Sequence, residues 1–180
     1  MASFKEKLNT DLMDFINEQK MFFTATAPHE GRINLSPKGM DSFRILDEKT
    51  VAYLDLTGSG NESSAHIQQN GRMTIMFCGF TEAPLILRLY GTGEVVKKGS
   101  TKWLEMSSIF PNYDGERQII LLHIESLQTS CGYGVPVYDY VGDKKIANKL
   151  KTWKHHLAKE DYWKEKNQVS IDGLPTHLLD

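Results

Sequence analysis

Between Met21 and Ser130 the chain is a succession of strand-like segments joined by turns too short for a crossover. Met21-Phe22-Phe23-Thr24-Ala25-Thr26-Ala27 is rich in aromatic residues and threonine, Pro28-His29-Glu30-Gly31 turns, and Arg32-Ile33-Asn34-Leu35-Ser36 alternates apolar and polar residues on the way back. Ser42–Leu46 is short and strand-like, and Val51–Leu56, Arg72–Phe80, Leu85–Val96 and Arg117–Ser130 are predominantly apolar strands. A parallel pair needs a crossover of about a dozen residues or more, so most of these connections dictate antiparallel pairing. A sheet of about six such strands must close or be covered to protect its edges. The architecture expected is mainly β within an α+β class: a six-stranded antiparallel barrel with flanking helices.

The flanks change period. Leu8, Leu12, Phe15 and Ile16 fall on one helical face, with Ser3 and Glu6 placed to form a capping box. Ile146, Leu150, Trp153 and Leu157 repeat the pattern near the other end. Two short helices are expected inside the barrel region, over Glu62–Gln69 and Thr101–Ile109. With 180 residues, the chain reads as a single domain over 1–180. A C-terminal helix is expected over about 143–166 and an irregular tail over 168–180.

Composition narrows the function. Lys plus Arg is 21 and Asp plus Glu is 23, a net charge of −2 that offers no basic excess for nucleic acid or an anionic membrane. No apolar run reaches the roughly 18 residues of a membrane span, and no secretory signal opens the chain. Two cysteines, Cys78 and Cys131, make no disulfide framework and fit a reducing cytoplasm. The six histidines show no H-x-x-x-H spacing, so no metal site is expected. Neither G-x-S-x-G nor G-x-G-x-x-G is present. Gly91-Thr92-Gly93-Glu94 lies inside a strand and reads as a bulge.

Three segments stand out. Thr57-Gly58-Ser59-Gly60-Asn61-Glu62-Ser63-Ser64 follows a strand and opens a helix, where unpaired amides and the helix dipole favour phosphate. Thr57, Ser59, Asn61 and Ser63 add side-chain donors, whereas Glu62 repels a phosphate unless it points away. A plain turn with a Ser or Asn cap fits the same spacing. In the second segment, Asn34, Ser36 and Lys38 share a face if the extended geometry continues through Pro37. That face suits a polar heterocycle or phosphate, and equally a solvated hairpin. In the third, Cys131-Gly132-Tyr133-Gly134 reads as a tight bend that presents Tyr133 to a ligand or packs it on the barrel.

In this order, the segments from Phe22-Phe23-Thr24 through Arg32–Gly39, Val51–Glu62, Asn70-Gly71-Arg72 and Gly91–Val96 resemble the pyridoxamine 5′-phosphate oxidase-like family of FMN-binding split barrels. The resemblance spans roughly residues 10–140. It implies a homodimer with two FMN sites at the subunit interface. Arg32, Ile33, Asn34, Leu35 and Ser36 would contact the flavin, and Thr57, Asn61, Glu62 and Ser63 its phosphate; Lys38, Ser59 and Tyr133 join the expected cofactor site from the readings of their own segments. The vitamin-forming oxidases of the family carry an Arg-Lys pair in the phosphate loop and an arginine-rich C-terminal segment. Here Glu62-Ser63 stands in the loop and no arginine follows Arg117. Pyridoxamine phosphate itself is therefore not the expected substrate.

The function expected is an FMN-dependent oxidoreductase acting on a small molecule, with catalytic residues unassigned. A barrel that stores or senses flavin or haem is the alternative, with His66 or His123 to be tried as axial ligand. A deazaflavin-dependent reductase is a third reading.

Overall fold

A computed structural model describes residues 3–145 and 148–180. Its centre is one antiparallel sheet: β1 (Ser3–Lys5), β2 (Met21–Thr26), β3 (Asn34–Gly39), β4 (Phe43–Ile45), β5 (Thr50–Leu56), β6 (Arg72–Cys78), β7 (Leu85–Lys97) and β8 (Glu116–Cys131). The strands run in the order β3-β2-β6-β7-β8-β5-β4, with β1 beside β8. The outermost strands, β3 and β4, follow one another in sequence. Met40 and Asp41 join them with φ of 63° and 55°, so the sheet curls until its edges lie one tight turn apart. This is the expected split barrel. It has eight strands rather than six because the short β1 and β4 add to the long ones.

The apolar runs of β5 and β8 reflect burial on both faces. Val51, Tyr53, Ile120 and Leu122 point into the barrel, where they meet Phe22, Ile75, Phe77, Leu87 and Leu89. The alternate residues Ala52, Leu54, Ile119 and Leu121 point outward into a second core with Trp103, Phe110 and Tyr113. That outer core lies under α3 (Thr101–Met106) and a following 3₁₀ turn, Ser107–Ile109. The bulge expected at Gly91 occurs where the β7–β8 register shifts between Tyr90 and Gly91. A Cβ on Gly91 would sit 1.9 Å from the carbonyl oxygen of His123, so only glycine fits. Helix α2 (Glu62–Asn70) packs its Ile67 over Gly93 and ends at Gly71, whose φ of 71° is the left-handed stop glycine favours.

The termini differ from the sequence expectation. Ser3 lies in β1 and caps nothing. Helix α1 (Thr10–Glu18) is capped instead by Asn9, whose Oδ1 accepts from the Leu12 amide at 3.2 Å. Ser3–Lys5 pairs instead with Leu127–Thr129, where its backbone groups find partners along β8. In place of one C-terminal helix there are two, α4 (Asn148–Thr152) and α5 (Lys159–Lys166). Trp153 takes φ 42°, a left-handed conformation that ends α4, and its Nε1 donates to the Leu157 carbonyl at 3.2 Å to close the loop. Ile146, part of the proposed helical face, lies outside the described residues. Among the described residues, no helix is long and apolar enough to cross a membrane.

Candidate functional site

Edge strand β3 continues straight through Pro37, which an edge position tolerates because no ladder partner needs its missing N–H. Asn34, Ser36 and Lys38 therefore do share a face, and Leu35 points away and is 65% exposed. Opposite them, β5 delivers the chain into the loop Thr57–Asn61 and the start of α2. Asn34 Nδ2 donates to Ser63 Oγ at 3.1 Å, and Ser36 Oγ donates to Asn34 Oδ1 at 3.0 Å. Strand and loop thus form two walls of one cleft of about 750 Å³. Nine of the twelve residues singled out from the sequence line it: Arg32, Ile33, Asn34, Ser36, Lys38, Ser59, Asn61, Glu62 and Ser63.

The other three do not. The Thr57 hydroxyl donates to the Gly115 carbonyl at 2.9 Å and accepts from Trp163 Nε1 at 2.9 Å, so it anchors the loop from behind. Leu35 faces outward, and Tyr133 is 83% exposed and outside the cleft lining rather than packed on the barrel.

The base of the cleft is an ionic hub of which the sequence singles out only Lys38. The β5–β8 register pairs Asp55 with Gln118 and Leu56 with Glu116, leaving Arg117 as the extra residue of a bulge. Such a bulge re-aims a side chain. Arg117 donates through Nε and Nη2 to Asp55 Oδ2 at 3.0 and 2.6 Å, and through Nη1 to the Gly60 carbonyl and Asn167 Oδ1, both at 2.9 Å. Lys38 donates to the other carboxylate oxygen at 2.8 Å, and Gln118 Nε2 adds a bond to Asp55 Oδ2 at 2.8 Å. Burial alone would raise the Asp55 pKa, but the charges of Arg117 and Lys38 outweigh it and hold the carboxyl well below its ordinary range. The hub ties β3, β5, β8 and the 57–61 loop together. One signal for it was readable: Asp55 is a lone carboxylate in an apolar strand, immediately before the glycine-bearing loop.

The loop itself is prepared for an anion. Asn61 precedes α2 without capping it, because its Oδ1 accepts from Gln118 at 2.7 Å. Its buried Nδ2 has no acceptor among the described residues. Nor do the backbone amides of Gly58–Ser63 find one there. Glu62, expected to repel an anion, is turned to the C-terminal tail, where it accepts from the Ile171 amide at 3.0 and 3.1 Å. Arg32 pairs with Asp172 of the same tail, through its backbone amide at 2.7 Å and its guanidinium. Val169, Ser170 and Ile171 thereby roof the cleft. A buried side-chain amide without an acceptor, next to open backbone amides at a helix N-terminus, fits a phosphate.

The histidines stand apart. His66 is buried and shares a 3.0 Å bond with Thr26 Oγ1, and His123 pairs with Glu94 at 3.1 Å on the surface. Neither lines the cleft, so neither is placed as an axial ligand there. Among the described residues no cluster of three His, Cys, Asp or Glu could hold a metal.

Residues 8–131 match the family model of pyridoxamine 5′-phosphate oxidase. The chain belongs to the pyridoxamine 5′-phosphate oxidase family. The family protein ustO of Aspergillus flavus is 38% identical over 198 residues, covering 97% of this chain and 78% of that one. The crystal structure of HupZ from Group A Streptococcus is 26% identical, with a TM-score of 0.51, over 67% of this chain and 91% of that one. A Lactobacillus delbrueckii structure shares the fold at a TM-score of 0.54 and 19% identity, over 68% of this chain and 98% of that one. The family match includes β3, the 57–63 loop and Arg117. It stops short of the two C-terminal helices and the tail, which the alignment with the Aspergillus flavus protein nevertheless covers almost entirely.

Proposed function

We propose that this family member is a cytoplasmic, flavin-dependent oxidoreductase that holds FMN in the cleft between β3 and the 57–63 loop. The observation that carries the reading is the meeting of Asn34, Ser36 and Lys38 with the open amides of Gly58–Ser63. A cleft of about 750 Å³ lies within the usual range for a cofactor site. The loop amides and Asn61 Nδ2 would take the phosphate. Asn34 and Ser36 would face the polar edge of the ring, where their hydrogen-bonded dipoles are fixed in advance. Lys38, held by Asp55, adds a positive charge that stabilises electron density on that edge. FMN, when bound, supplies the electron transfer, and the protein supplies orientation and field. Two free cysteines accord with a reducing compartment.

The reading includes a homodimer. Ile33, Leu35, Val169 and Ile171 are each more than half exposed, and all but Leu35 line the cleft. A second copy laid against them would bury that apolar surface and complete the flavin site.

The decisive experiment is the absorption spectrum of the purified protein, with mass spectrometry of any released chromophore and light scattering for the oligomer. Flavin bands, FMN mass and a dimer are expected. A colourless protein that fails to quench the fluorescence of added FMN overturns the proposal. A Soret band or a deazaflavin mass would replace it with one of the alternative cofactors. Turnover with NADH or NADPH separates an enzyme from a carrier.

A further inference from the structure

A second cavity, of about 610 Å³, adjoins the first and shares Pro37, Lys38, Gly58 and Ser59 with it. Its outer wall is built by the part of the chain beyond the family match. Trp153, His155 and Tyr162 form one aromatic group there. Trp153 stacks on His155 at 5.7 Å between centroids and 28° between planes, and Tyr162 meets both edge-on, at 5.4 and 4.5 Å. Tyr140 adds a fourth ring to the lining, and Met21 and Met40 close the apolar floor. The group is held by the left-handed backbone at Trp153, a conformation a bulky residue keeps only where its surroundings fix it, and one that clusters at ligand sites.

The charge at this cavity has one dominant sign. Lys20, Lys38, Lys144 and Lys154 line it against the single carboxylate of Asp143. Lys38 is committed to Asp55, but Lys20, Lys144 and Lys154 have no ion-pair partner among the described residues. Flat aromatic walls select a flat ring, and the unpaired lysines among the lining residues select an anionic substituent.

We infer that this cavity is a binding site for a flat aromatic organic anion. The inference rests on the proposed function for its biological sense: a ring held here would lie beside the flavin cleft as its substrate. The binding itself does not require the flavin.

The test uses the full-length protein and two probes with the same ring and opposite charge, 2-naphthoate and naphthalene-2-methylammonium, titrated by calorimetry. One naphthoate per chain is expected, bound about tenfold more tightly than the ammonium probe. Trp153→Ala should weaken naphthoate about tenfold while Trp153→Phe, which keeps a ring, loses about threefold or less. The double variant Lys144→Glu/Lys154→Glu should abolish the charge preference, and these surface changes leave the fold intact as read by circular dichroism. No saturable naphthoate binding, equal affinity for both probes, or binding indifferent to the lysine changes overturns the inference. An FMN titration runs in parallel. FMN bound without naphthoate sinks this inference alone, and naphthoate bound without FMN sinks the flavin reading alone.

Discussion

Arg117 reaches Asp55 from a β-bulge, and the two form an ion pair in which neither side chain exceeds 3% exposure. Such a pair is costly to break because the survivor is left charged and dry. Asp55→Asn keeps the shape but strips Arg117 and Lys38 of their common counter-ion. We expect it to lose about 3–5 kcal/mol of stability in urea denaturation. Lys38→Met, at a more exposed partner, should lose less.

The same carboxyl makes a prediction about acid. Its pKa in the folded chain lies below the unfolded value of 3.8, despite burial, because of Arg117 and Lys38. Its contribution is therefore complete above the unfolded value and is lost as pH falls through the acid range towards the folded one. Comparing urea midpoints from neutral pH down into that range, Asp55→Asn should flatten the acid limb of the stability curve. An unchanged limb would assign acid unfolding to other carboxylates.

Glu62 holds the tail by accepting from the Ile171 amide. Glu62→Gln keeps an acceptor but removes a negative charge next to the proposed phosphate position. FMN affinity should rise about three- to tenfold, whereas riboflavin, lacking the phosphate, should gain almost nothing. Hydrogen exchange at Ile171 should quicken, since an amide oxygen accepts more weakly than a carboxylate.

Gly91 tests the bulge between β7 and β8. Gly91→Ala would push a methyl group into the His123 carbonyl, and backbone cannot yield as a side chain does. A loss of about 3 kcal/mol or more is expected in thermal or urea unfolding. Gly99→Ala, where a Cβ meets nothing within 4 Å but φ is 85°, should lose only about 1–2 kcal/mol.

Cys131 is exposed and Cys78 buried, and burial pushes the Cys78 thiol up despite the nearby Arg88. A thiol reagent should modify one cysteine of the native chain quickly, and the second only in denaturant. Substituting Cys131→Ser should remove the fast phase.

Periodicity and turn residues determined strands β2 to β8, their antiparallel pairing, helix α2 and the bulge at Gly91, but not β1. Each of these follows from the residues within one strand, turn or helix. The polar face of β3 and the 57–63 loop were legible for the same reason, since Asn34, Ser36 and Lys38 alternate and the glycine-bearing loop sits between a strand and a helix. Tertiary structure alone decided the rest. Arg117 enters the site because a bulge turns it, and Asn167, Ile171 and Asp172 enter because the tail folds back across more than a hundred residues of sequence to Gly58, Glu62 and Arg32. Tyr133 stands exposed outside the cleft lining and the C-terminal helix breaks at Trp153, whereas the tail is set by its long-range contacts. Such contacts depend on the closure of the whole sheet, which no local pattern encodes.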